Sequence, residues 1–221
     1  MVHLENFEMF DLAFGQLGLS VGPRTGSIKR TKDDKEWYVI RRFLRAAIPE
    51  EIFELPISIQ KAPPPEPDFV MHSKSRTAKL EVTEATVEAD QREMTAIELS
   101  NEDAVLIGEL GGRFRGGLCE PGFAWASDII AAINRKNGKS IFTSASSDRH
   151  LVIYPNSNAS SLIFDEEDED RAFRILVNQI ETIEKELCQV ASGCFVHILG
   201  KEFVFFDILN LAHRHQRRRT D

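Results

Sequence analysis

The order of apolar periodicities along this chain predicts an α/β fold with a central mixed β-sheet and helices on both faces. Three observations carry that expectation. The 221 residues are 42% hydrophobic, enough to bury a sizeable core in one domain. Short stretches with apolar alternation, such as LPISIQK at 55–61, PDFVM at 67–71 and AKLEVTEA at 78–85, read as strands. Between and around them lie longer stretches whose apolar residues recur at helical spacing.

From the N-terminus, residues 2–18 are amphipathic, with Leu4, Phe7, Phe10, Leu12 and Phe14, and predict a short helix. Residues 1–30 form an N-terminal extension that ends in the basic Gly/Pro loop VGPRTGSIKR. A helix is predicted over 33–48, capped by Asp33 or Asp34, with Trp37, Ile40, Phe43 and Leu44 on one face and Arg41, Arg42 and Arg45 on another. Three strands follow, the first ended by the prolines of APPPEP. Helical spacing returns at 88–99 and 124–136, separated by the glycine-rich GELGGRFRGGLCEPG at 108–122, which predicts a long loop. The strand HLVIYP at 150–155 precedes an acid tract, DEEDED, that opens a long helix to about Val190. CFVHIL and EFVFFDIL close the fold as two strands around Gly200-Lys201, and residues 211–221 form a basic tail. The predicted order is α-α-β-β-β-α-α-β-α-β-β.

Composition excludes several function classes. A net charge of −8 gives no global attraction to nucleic acid, so such binding needs local basic surface. Three scattered cysteines support neither a disulfide framework nor a zinc site, and they suit a reducing cytoplasm. No apolar run reaches the roughly 20 residues that span a bilayer, and the acidic N-terminus is no signal peptide. A cytoplasmic protein with no membrane partner is expected. Gly138-Lys139-Ser140 lacks the upstream glycine of a phosphate-binding loop, and no Gly-x-Ser-x-Gly elbow supports acyl hydrolysis.

The chemistry concentrates in one hairpin. A symmetric turn over 72–77 sets Asp68 directly across from Glu81 in an antiparallel ladder. Directly opposed side chains have Cβ atoms about 4.5–5.5 Å apart, and two carboxylates that close repel unless a hard cation joins them. Alternation puts Lys79, Glu81 and Thr83 on one face.

PEPDFVM followed by AKLEVTEAT resembles the PD-(D/E)xK nuclease superfamily over roughly residues 33–155. Pro67-Asp68 match its first element, and Glu81-Val82-Thr83 match its second with threonine where the family has lysine. The resemblance implies a restriction-endonuclease-like fold and a Mg²⁺- or Mn²⁺-dependent phosphodiesterase acting on nucleic acid, DNA in the first instance. It further implies that Asp68 and Glu81 hold the metal, that Glu36 on the preceding helix joins them, and that Gln91 on the following helix belongs to the site. Threonine can hydrogen-bond but brings no charge, so Lys79, Arg92 or Lys136 supplies it, a second metal does, or the site is inactive. The competing expectation is an inactive scaffold that binds nucleic acid or a protein partner. Candidate nucleic-acid contacts are Arg41, Arg113 and Arg115 in the helix and glycine loop, and Lys136. A homodimer suits the class, because cutting two strands usually takes two sites.

Overall fold

The computed structural model describes residues 1–15, 31–85, 121–137, 148–155, 171–179, 194–199 and 203–207. A seven-stranded mixed sheet organises them: β1 (Val2–Leu4), β2 (Ile57–Lys61), β3 (Phe69–His72), β4 (Thr77–Ala85), β5 (Asp148–Pro155), β6 (Cys194–Leu199) and β7 (Phe203–Asp207). The strands lie side by side in chain order. Pairing is antiparallel from β1 to β4, parallel for β4–β5 and β5–β6, and antiparallel for β6–β7. The helices are α1 (Phe10–Gly15), α2 (Lys32–Ala47), α3 (Pro121–Asn137) and α4 (171–179). The predicted helix at 88–99 and residues 108–120 of the glycine loop lie outside the described residues, and the loop's last two residues, Pro121 and Gly122, open α3 instead.

Alternation along β4 and β5 sorts the core into two faces. Ala78, Leu80 and Val152 join Phe10 and Phe14 of α1 and Val39, Ile40, Phe43 and Leu44 of α2 on one side. Ala85, Leu151 and Ile153 join Trp125, Ile129 and Ile133 of α3, with Phe173 and Leu176 of α4, on the other. β5, parallel to both neighbours, is buried from Arg149 to Ile153, as a strand covered on both faces must be. The α/β expectation therefore holds, with helices on each side.

The N-terminus departs from the predicted helix. Val2 and Leu4 are buried and His3 between them is exposed, a period of two, so they pair with β2 instead. Helix begins only after Asn6, whose side chain accepts from the Met9 N–H at 3.1 Å and caps a 3-10 turn leading into α1.

The cap of α2 also differs from expectation. Thr31 rather than either aspartate is the cap: its hydroxyl accepts from the Asp34 N–H at 3.1 Å, and the Asp34 carboxylate accepts from the Thr31 N–H at 2.9 Å. Thr31→Ala is expected to lower stability by about 1 kcal/mol, read as a shifted urea midpoint with unchanged slope. The helix buries Glu36, Val39, Ile40, Phe43, Leu44 and Ala47, one stripe at three- and four-residue spacing. A carboxylate thus heads an otherwise apolar stripe.

Candidate functional site

The β3–β4 ladder has the register the symmetric turn demands: His72 pairs with Thr77, Met71 with Ala78, Val70 with Lys79 and Phe69 with Leu80. Continued one step, that register would set Asp68 against Glu81, but the ladder ends at Phe69–Leu80. There the two strands part. β4 continues to Ala85, whereas the chain before Phe69 turns through Pro63, Pro64, Pro65 and Pro67, which have no N–H to extend a ladder. Ala62 N–H donates to the Asp68 carbonyl at 3.1 Å and closes this loop. The Asp68 side chain then takes over the pairing, its Oδ2 accepting from the Val82 N–H at 2.9 Å. Asp68 is thus fixed at the fork of the hairpin through one oxygen, Oδ2.

Glu81 points to the α3 face. Its Oε1 lies 2.5 Å from Nζ of Lys136, and the two side chains keep only 13% and 14% of their exposure. Thr83, on the same face, is buried. Lys79 shares that face but its Nζ is 2.6 Å from Glu66 Oε2 in the proline loop. It is therefore engaged beside the site, not free to meet a phosphate as expected from alternation alone.

On the α2 side a second group of charges meets the same end of the sheet. Glu36, only 6% exposed, is bonded by Lys61 at the end of β2 and lies 3.3 Å from Lys32. Lys61 also holds Asp33 at 2.8 Å and lies 5.3 Å from the centre of the Phe69 ring. Burial pulls the Lys61 ammonium down, but its bonds to Asp33 and Glu36 outweigh that and raise its pKa. Lys32 is raised chiefly by the charge of Glu36 and its hydrogen bond, with Asp68 adding to the effect. Glu36 is therefore close to the site but satisfied by lysines, not by the Asp68–Glu81 pair.

The other expected contacts scatter. Arg41 is tied to Asp11 of α1 at 2.8 Å, as is Arg45 at 3.1 Å, so this part of the helix is bound to the N-terminal segment. Arg42 lies 6.0 Å and 5.5 Å from the ring centres of Tyr38 and Tyr154. Gln91, Arg92, Arg113 and Arg115 lie outside the described residues.

Two features escaped the sequence reading. Lys61 had a readable signal: alternation in ISIQK puts it on the face of Ile57 and Ile59, toward α2. The second is a pair of wholly buried imidazoles, His150 on β5 and His197 on β6, with Nδ1 of the first 2.8 Å from Nε2 of the second. Phe43, Phe53 and Phe195 pack against them. Both histidines stand inside apolar strand runs, the only hint that they are buried.

Comparison with family models, curated proteins and solved structures finds no match.

Among the described residues no group of three or more histidine, cysteine, aspartate or glutamate side chains could hold a metal. Asp68 and Glu81 supply two hard oxygen donors, one already turned toward an N–H and the other toward an ammonium. Hard oxygen donors of this kind suit Mg²⁺ or Mn²⁺, but two carboxylates alone would leave waters and a substrate phosphate to complete the shell. The pair does not fit a closed structural site, nor a soft-ligand metal.

Proposed function

We propose that this chain is a divalent-metal-dependent phosphodiesterase acting on nucleic acid, DNA in the first instance, built on a restriction-endonuclease-like core. The observation that supports the reading is the hairpin register, which continued one step past Phe69–Leu80 sets Asp68 toward Glu81, with Asp68 bonded to the Val82 N–H and Lys136 against Glu81. The element order from α2 through β4 and the parallel β4–β5 pairing agree with that core. No helix among the described residues is long and apolar enough to cross a membrane.

In hydrolysis a water oxygen bonds to phosphorus, the bond from phosphorus to the sugar oxygen breaks, and the leaving oxygen takes a proton. A bound Mg²⁺ or Mn²⁺ would acidify the attacking water and stabilise the departing oxygen. Asp68 would hold the ion by the oxygen that does not accept from the Val82 N–H. Glu81 would be the second carboxylate to hold it, from β4. Thr83, two residues along the same face, offers a hydroxyl but no charge. Glu36 tunes the site from the side, holding Lys61 and Lys32 near Asp68.

The test is incubation of the purified protein with labelled duplex DNA, single-stranded DNA and RNA in Mn²⁺, Mg²⁺ or chelator. Cleavage that needs the ion and stops on chelation is expected. No cleavage of any of the three with either ion would sink the enzymatic reading. One observation favours a second reading, an inactive scaffold that binds nucleic acid or a protein: lysines already neutralise Glu36 and Glu81. Calorimetric titration with Mn²⁺ separates the two, since the scaffold takes up no ion at Asp68.

A further inference from the structure

We infer that Lys136 is the catalytic cation of this site, contributing from α3 the positive charge that Thr83 cannot contribute from β4. This rests on the phosphodiesterase reading above. Lys136 occupies the last turn of α3, and the neighbouring Arg135 guanidinium donates to the Glu84 carbonyl at 2.9 Å, which fastens this helix end over β4. With the helix so held, Nζ of Lys136 reaches Glu81 Oε1 at 2.5 Å, and each side chain is nearly nine-tenths covered. An ammonium has three N–H donors, so one can stay on Glu81 while the others meet a phosphate oxygen and a water.

The other lysines near the fork are committed elsewhere. Lys61 is shared between Asp33 and Glu36, Lys79 is held by Glu66, and Lys32 is held by Glu36. Lys136 alone among these four has an acid of the Asp68–Glu81 pair as its ion-pair partner. A preorganised cation shielded from water is worth far more to a charged transition state than one in solvent.

The same contact makes Lys136 a competitor of the metal, because its charge already satisfies Glu81. Two effects of opposite sign follow from removing that charge. Lys136→Met is expected to slow cleavage about 100-fold, and to bind Mn²⁺ severalfold more tightly in calorimetric titration. Lys136→Gln, which keeps a hydrogen-bond donor and serves if the methionine variant does not fold, should behave alike. Lys136→Arg should recover much of the rate. Asp68→Asn is assayed beside them. Wild-type cleavage in the folded Lys136 variants, or joint loss of cleavage and Mn²⁺ binding, overturns the role of Lys136, the latter marking it as a strut for Glu81. If Asp68→Asn changes neither Mn²⁺ binding nor cleavage, the phosphodiesterase reading itself fails, and the assignment of Lys136 with it.

Discussion

Asp68→Asn and Glu81→Gln are each expected to reduce ion-dependent cleavage by on the order of 10³-fold, and the double variant by little more. The near-equality follows from geometry. The register that ends at Phe69–Leu80 would, continued one step, bring the two carboxylates to the same ion, so losing either would disable the unit. The effects on stability should differ, and that difference makes the experiment clean. Asparagine keeps a carbonyl oxygen for the Val82 N–H that Asp68 now satisfies, so Asp68→Asn should change stability by less than about 1 kcal/mol. Glutamine at 81 leaves the largely covered Lys136 ammonium without a counter-charge. A loss of roughly 1–3 kcal/mol follows, below the full cost of a wholly buried broken pair because some solvent remains. Cleavage rates and urea midpoints on the same preparations check both parts. An Asp68→Asn protein that folds normally and cuts at the wild-type rate would remove the site from the hairpin.

How much of this was readable in advance depended on how local each contact is. The turn over residues 73–76 joins β3 to β4 directly, so its symmetry alone fixes the register as far as Phe69–Leu80, one step short of Asp68 and Glu81. Lys136 is 55 residues from Glu81, and no turn dictates that α3 should end over β4. The sequence could offer it only as one basic residue among several. Glu36 is an intermediate case: it falls three and four residues before Val39 and Ile40, so spacing put it on the buried stripe. Only the family resemblance marks it as a site residue, because the apolar face reads from Trp37, Ile40, Phe43 and Leu44. The partners of Glu36, Lys61 and Lys32, then decide that it stays charged and covered. For β5 and β6 the apolar runs announced buried strands, but parallel strands joined through a crossover take their register from the whole sheet. The encounter of His150 with His197 was therefore invisible in the sequence. β1 was lost for another reason: three residues are too few for alternation to outweigh a helical pattern that continues through Phe10 and Phe14.

That histidine pair leads to an acid-sensitive fold, with stability expected to fall steeply between about pH 6.5 and pH 4. Both imidazoles are fully buried, and their single mutual hydrogen bond needs only one proton between them. Nε2 of His150 has no hydrogen-bond partner among the described residues, so nothing there would receive the extra N–H of an imidazolium. Burial pushes both groups down from the ordinary value of 6.5, His197 to about 3 and His150 well below that ordinary value. Arg76 adds to the depression of both, and His197 adds to that of His150. The sign follows from proton counting. Above pH 6.5 neither state binds a proton at these sites, and the stability they permit is fully present. Below it the unfolded chain takes up protons that the folded chain refuses, and stability is lost as pH falls toward the folded pKa. A histidine so depressed contributes about 1.4 kcal/mol per pH unit, so His197 accounts for roughly 3 kcal/mol by pH 4 and His150 adds in the same direction, a large share of the stability of an ordinary domain. Urea titrations from pH 8 to pH 4 measure the slope. His150→Leu/His197→Leu, which replaces both polar rings by apolar groups of similar size, should flatten it with little cost at pH 7. The single variant His197→Leu should be less stable than the double at neutral pH, because it strands Nδ1 of His150 without its partner. A wild-type slope no steeper than that of the double variant would show that these imidazoles accept protons in the folded state as readily as in water.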